Sequence, residues 1–212
     1  MTPEAALDFG LAQLALALPA GAREKLVAFV ELLGKWNRTY NLTAIRDPMK
    51  MVTHHLLDSL AVVPHLPLRD ERGALADVGS GAGVPGIPLA IARPEWPVTL
   101  NDSNQKKTAF MRQAAIELAL PNVVTHTGRV EEWRPASLFA VVISRGFAEL
   151  ADFFAACRHL VAPGGVLAAM KGIYPNDELA RLPAGVTCSE VVRLRVPLLE
   201  AERHLVFCRP VR

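Results

Sequence analysis

From Gly73 to Gly172 short apolar runs alternate with helical patterns, and this rhythm restricts the fold more than any other feature of the sequence. "GALADVG", "WPVTLND", "NVVTHTG", "LFAVVISRG" and "GGVLAAMKG" read as five strands. They are apolar throughout rather than alternating, so both faces of their sheet are covered, as in parallel sheets with crossover helices. Helical patterns fall between them at Ile87 to Ala92, in "SNQKKTAFMRQAAIELAL" and in "LADFFAACRHLV", the last ending at Pro163. Two more strand-like stretches, "CSEVVRLRVP" and "ERHLVFCRP", are separated only by "LLEA". That gap is too short for a helix and suits an antiparallel hairpin. The expected sheet has seven strands, mostly parallel, with an antiparallel end.

The residues before this region carry no strand signal. Thr2 can cap a first helix with Pro3 at its first position, and Pro19 closes that pattern. "GAREKLVAFVELLGKWNRTYN" is a second helix with Leu26, Phe29, Val30 and Leu33 on one face. Asp47 and Pro48 open a third that runs into the fifties. The chain therefore divides into an N-terminal helical extension, residues 1–70, and an α/β core, residues 71–212.

With 51% hydrophobic and 21% charged residues the chain is globular, and a net charge of +2 leaves any cationic surface local. Cys157, Cys188 and Cys208 match neither a disulfide framework nor a zinc motif, and read as separate, mostly buried thiols. The acidic start "MTPEAALDFG" has the wrong flank for a secretory signal, and no apolar run of about eighteen residues occurs. A cytoplasmic protein without a membrane partner is expected, and a monomer is the simpler assembly.

Chemistry concentrates in "DVGSGAGVPGIPLA", Asp77 to Ala90. Gly81, Gly83 and Gly86 fit the dinucleotide spacing G-x-G-x-x-G, while Gly79, Gly81 and Gly83 fit the D-x-G-x-G-x-G loop of S-adenosylmethionine enzymes. Both loops let the backbone turn sharply and aim free N–H groups of a helix start at a ligand. Asp102, nineteen residues after Gly83, can bind ribose hydroxyls in either case. Its other reading is a cap for the next helix, a task Ser103 can also perform. The terminal hairpin, the position of Asp77 where it can brace the turn and the methionyl ammonium, the lack of chain for a second domain and the absence of a Tyr-x-x-x-Lys pair favour S-adenosylmethionine.

No acceptor machinery accompanies the loop. Cys157 lies inside a helical pattern rather than on a nucleophile loop, and "ISRGFAEL" stands where amine methylation would want an Asn/Asp-Pro-Pro-aromatic motif. His54 and Asp58, four apart on one helical face, read as a solvated or hydrogen-bonded pair rather than a metal site. An acceptor with its own lone pair, such as guanine N7, needs no general base, so catalysis would rest on positioning and electrostatics. Arg129 and Arg145 are the candidate positioning residues; no catalytic residue is assigned. Lys106, Lys107 and Arg112, with Lys171 at a strand end and Lys35 and Arg38 on the second helix, suggest a phosphate-bearing partner. Trp36, Tyr40 and Phe147 could stack on bases.

"WNRTYNLTAI", "HHLLDSL", "DVGSGAGVPGIPLAI", "LNDSNQKKTAFM", "GRVEEW", "VISRGFAEL" and "MKG" occur in this order between Leu33 and Gly172. On them the chain resembles the bacterial small-subunit ribosomal RNA methyltransferase G family, also called glucose-inhibited division protein B. The resemblance implies a Rossmann-like S-adenosylmethionine-dependent fold. It also implies transfer of a methyl group to guanine N7 in the 530 loop of 16S ribosomal RNA, free or within the small subunit. It further implies cofactor contacts from the loop at Gly79, from Val84, from Val130 and Glu131, and from Arg145. Gly146 replaces the family's usual alanine, and Asn101 is more polar than the usual residue before the aspartate. Methylation of another RNA or a nucleobase compound, and an RNA-binding scaffold without catalysis, are the competing readings.

Overall fold

The computed structural model describes residues 1–68, 73–147 and 149–210, so the 70/71 boundary expected above lies outside the described residues. Seven strands form one sheet in the order β3-β2-β1-β4-β5-β7-β6. They are β1 (Leu75–Val78), β2 (Val98–Asp102), β3 (Val123–Thr127), β4 (Phe139–Arg145), β5 (Val161–Lys171), β6 (Val186–Leu194) and β7 (Arg203–Pro210). The first five are parallel; β7 inserts antiparallel between β5 and β6. This is the Rossmann-like fold of S-adenosylmethionine-dependent methyltransferases, with its C-terminal hairpin and a helical leader.

Strand geometry sends successive side chains to opposite faces, and here both faces are buried. Leu75, Val141, Ile143, Val166 and Ala168 point into one core with α1 (Pro3–Gln13), α2 (Ala22–Tyr40), α5 (Gly86–Ala92) and α6 (Gln105–Glu117). Ala76, Val142, Leu167 and Ala169 point into a second core with Trp133 and with Phe153 and Phe154 of α7 (Leu150–Cys157). The helical leader shares the first core continuously with the sheet, from Leu7 and Phe29 to Val141 and Leu205.

The leader starts as its sequence dictates: Thr2 accepts from the Ala5 N–H, and Pro3 needs no partner for a missing donor. Asp47 likewise accepts from the Met49 N–H at the head of α3 (Pro48–Met51). The helix then widens into a π-helical segment over Val52–Leu57 before the short α4 (Asp58–Leu60). Such widening is frequent at functional sites, and it ends beside the buried Asp58.

Three expectations need correction. The helix opening at Leu150 ends at Cys157, not at Pro163, because the chain rejoins the sheet at Val161 opposite Phe139. A register shift there takes up the extra residues around Pro163 and Gly164. A five-residue helix, α8 (Asn176–Ala180), buries no side chain and so left no apolar period to read. Finally, Cys188 and Cys208 are not separate thiols. The β6–β7 register sets them opposite each other with Cα atoms 3.9 Å apart, and they form a disulfide; Cys157 is free and buried. Among the described residues no helix is long and apolar enough to cross a membrane.

Candidate functional site

In open α/β sheets the ligand crevice lies beyond the carboxyl ends of the central strands. Here that crevice is bounded by the loop after β1, Lys107 of α6, the end of β4 and the π-helical turn of the leader. The loop is fixed by its own backbone. Ser80 N–H donates to the Asn101 carbonyl at 2.9 Å, and both Gly83 and Val84 donate to the Ser80 carbonyl at 2.8 and 3.0 Å. The Ser80 hydroxyl donates to the Asp77 carbonyl at 2.8 Å.

The glycines divide into two kinds. Gly79 lies at φ +69°, and a Cβ added there would meet nothing within 4 Å, so its backbone faces open space. Gly86 begins α5 against packed atoms, since its Cβ would lie 2.1 Å from Leu100 and 2.8 Å from the Asp77 carboxylate. Gly79, Gly81 and Val84 line a cavity of about 240 Å³ with Leu42, Thr43, His55, Lys107 and Arg145. Gly86 therefore serves the close packing of α5 on β2, while Gly79 and Gly81 are the glycines that line the cavity.

Asp77 and Asp102 support this loop from below and from the side. Asp77 is fully buried, and its Oδ2 accepts the Gly86 N–H at 2.8 Å while Oδ1 has no partner. Burial pushes its carboxyl up to about 7, against the opposing pull of the Gly86 hydrogen bond. It braces the turn but is shut off from the cavity, so a direct bond to a ligand ammonium is not built. Asp102 accepts from Gly81 N–H at 3.0 Å and from Asn104 N–H at 2.9 Å, with Lys107 Nζ at 3.8 Å. The cap of α6 is Asn104, not Ser103: its side chain accepts from the Lys106 and Lys107 N–H groups.

Beyond β3, Val130 is buried in the second core and Glu131 is exposed in an ion pair with Arg129 at 3.3 Å. Neither lines the cavity over the loop. Asn101 ties this region to β2, donating to the Gly128 carbonyl and to His126 Nδ1, both at 3.0 Å. Gly146, where the family usually has alanine, lies at φ +116°, a conformation that glycine adopts without strain.

A second cavity, about 500 Å³, adjoins the first and shares His55 and Arg145 with it. Its wall includes His54, Asp58, Phe147, Lys171, Glu178 and Arg203. Arg145 is fixed on three sides. Its Nη1 donates to the His54 carbonyl at 2.6 Å and to Asp58 Oδ2 at 3.0 Å, and Nη2 faces His55 Nδ1 at 3.2 Å. A guanidinium only donates, so His55 Nδ1 accepts and the ring proton sits on Nε2, which donates to Thr43 Oγ1 at 3.0 Å. Burial and the nearby Arg145 charge hold the His55 imidazole down at about 4, so it is neutral at physiological pH.

The His54–Asp58 pair expected from helical spacing does not form. His54 Nδ1 is 2.7 Å from Thr53 Oγ1, and Asp58 turns to Arg145 and Arg203 instead. Lys171 is engaged with Glu178 at 2.7 Å and with the Phe147 carbonyl at 3.3 Å. Lys35, Arg38, Lys106 and Arg112 are exposed, as is Arg129. Trp36 packs on Phe110 and Tyr40, whereas Phe147 stays at the second cavity with its ring 5.2 Å from that of Phe153. Sequence reasoning missed Thr43, His55 and Arg203, although "NLTAI" and "HHLLDSL" contained the first two, and it named Asp58 without its arginine partners.

The sequence model of the family described as "GidB: rRNA small subunit methyltransferase G" matches residues 22–206. The chain belongs to this family. It is 53% identical over 209 residues to the ribosomal RNA small subunit methyltransferase G of Burkholderia thailandensis, covering 97% of this chain and 90% of that one. The protein of the same description from Burkholderia multivorans is 54% identical over 201 residues, covering 93% and 88%. Among solved structures, TrmN from Thermus thermophilus superposes with a TM-score of 0.60 at 16% identity, over 82% of this chain and 53% of that one. The glycopeptide N-methyltransferase MtfA with S-adenosyl-L-homocysteine gives 0.62 at 11% identity, over 74% and 87%. These likenesses establish the fold. Family and fold together make the chain an enzyme of the S-adenosylmethionine-dependent methyltransferase class, directed to ribosomal RNA.

The loop suits such a cofactor on its own geometry. Left-handed Gly79 and Gly81 line an open cradle, Gly83 is packed against Ile87 outside it, and Asp102, beside the loop and not in the cavity lining, keeps carboxylate lone pairs beyond its two backbone donors.

Proposed function

We propose that this protein transfers a methyl group from S-adenosyl-L-methionine to N7 of a guanine in the 530 loop of 16S ribosomal RNA. The cofactor, when bound, supplies an electrophilic methyl on a sulfonium. In this reading Gly79, Gly81 and Val84 cradle it, Gly83 and Asp77 brace their turn, and Asp102 accepts from the ribose. Val130 and Glu131 lie toward the adenine, and Arg145 separates cofactor from acceptor.

The observation that carries the acceptor assignment is the state of the partition between the two cavities. Its imidazole is neutral, with Nδ1 already accepting from Arg145 and Nε2 holding the proton, and Asp58 is ion-paired. Such groups orient a nucleophile rather than deprotonate it. Guanine N7 offers a ring lone pair and requires no proton removal, so positioning and fixed charge suffice. Exposed Lys35, Arg38, Lys106 and Arg112, with Lys107, supply phosphate contacts; Lys171, held by Glu178, orders the cavity wall. The enzyme acts as a cytoplasmic monomer on the RNA or the small subunit.

The test is incubation of purified protein with labelled S-adenosylmethionine and small subunits from cells lacking the activity, followed by nucleoside analysis. Label in N7-methylguanosine is expected. Label in any other nucleoside would overturn the acceptor, and no transfer despite cofactor binding would overturn the enzyme in favour of an RNA-binding scaffold.

A further inference from the structure

We infer that Asp58 is the positioning residue of the acceptor cavity, acting through Arg145 and Arg203, an inference that rests on the methyl-transfer reading above. Asp58 is 2% exposed at the end of the π-helical turn, yet its carboxylate joins two elements remote in sequence. Oδ2 accepts from Arg145 Nη1 at the carboxyl end of β4, and Oδ1 accepts from Arg203 Nε at the start of β7, both at 3.0 Å. The two arginine side chains remain 23% and 22% exposed, and both line the larger cavity.

One carboxylate between two guanidiniums leaves a net positive charge at that wall. A phosphate-bearing nucleotide entering the cavity would meet it. Each arginine also has a second anchor: Arg145 on the His54 carbonyl and Arg203 on the Glu202 carbonyl. Removal of Asp58 would leave Arg145 held by the His54 carbonyl and by His55, while Arg203 would keep its Nη1 bond to the Glu202 carbonyl but lose the Nε bond that fixes its aim. Asp58 lines the larger cavity and not the one over the glycine loop. Arg145 lines both cavities but stays anchored on the His54 carbonyl and His55, so the loss of Asp58 should weaken turnover far more than cofactor binding. A carboxylate in charge-assisted bonds is also poorly replaced by an amide, whose NH₂ would face a guanidinium donor.

The test compares the parent with Asp58→Asn and Arg203→Ala. Measured are methyl transfer to small subunits per molecule competent to bind S-adenosylhomocysteine, and equilibrium binding of that compound by calorimetry. Asp58→Asn should lower kcat by about 10- to 100-fold, with S-adenosylhomocysteine affinity within about threefold. Arg203→Ala should lower kcat less. The double variant should be no worse than Asp58→Asn alone, because both changes break one unit. An unchanged kcat per competent molecule, or fully additive losses, would overturn the inference. If Asp58→Asn fails to fold, Arg203→Ala decides: full kcat in that variant overturns it. A parent that binds S-adenosylhomocysteine but transfers no methyl group would instead refute the underlying reading.

Discussion

Substituting Gly86 and Gly79 separately by alanine should damage the same loop in opposite ways. At Gly86 the new Cβ would sit 2.1 Å from Leu100 Cδ2, 2.8 Å from Asp77 Oδ2 and 3.1 Å from Asp77 Cβ. Leu100 is fully buried in β2, between β3 and β1, so its side chain cannot swing out to solvent. Overpacking of this kind costs about 1–3 kcal/mol, and stretching the Gly86–Asp77 hydrogen bond adds about 1 kcal/mol. Gly86→Ala should thus destabilise the fold by about 2–4 kcal/mol in urea unfolding. At Gly79 nothing is struck, and only the φ of +69° opposes the substitution, at about 1–2 kcal/mol. Gly79 instead lines the cradle, so Gly79→Ala should lose S-adenosylhomocysteine affinity out of proportion to its stability. A Gly86→Ala protein within about 0.5 kcal/mol of the parent, or a Gly79→Ala protein with unchanged affinity, would refute this division of the glycines.

Asp77 titrates at about 7 in the fold and at 3.8 unfolded, so the folded state holds its proton more tightly. The stability this lends is complete below the unfolded value and is lost as pH rises from about 4 through 7. Asp77→Asn should remove that slope, and a parent-minus-variant difference in unfolding free energy that is flat across this window would contradict it. Asp102→Ala should weaken S-adenosylhomocysteine binding by about 1–3 kcal/mol in calorimetry; unchanged affinity would make Asp102 only a brace for Gly81 and Asn104. Lys106→Ala should reduce the salt slope of RNA binding by about 1 without altering cofactor affinity, and an identical slope would remove Lys106 from the interface.

What the sequence made legible follows from short-range physics. Apolar runs of strand length, the caps at Thr2 and Asp47 and the brevity of "LLEA" are local signals, and each matches the element observed. The glycine loop was legible as a cradle, but assigning its glycines required the packing of Leu100 against Gly86. The partition of the two cavities was not legible, because its parts come from "NLTAI", "HHLLDSL", "VISRG" and "ERHLVF" and meet only once the sheet is ordered. Helical spacing paired His54 with Asp58, whereas ion pairs with Arg145 and Arg203, 87 and 145 residues away, took the carboxylate. The disulfide escaped for a similar reason: only the hairpin register brings Cys188 opposite Cys208.

The most direct test of the central claim is fragment mass spectrometry of 16S ribosomal RNA after reaction of unmethylated small subunits with the enzyme and S-adenosylmethionine. One added methyl on a guanine base within the 530-loop fragment, recovered as N7-methylguanosine, is the expected result. A methyl on a ribose, on another base, or on a fragment outside that loop would contradict it.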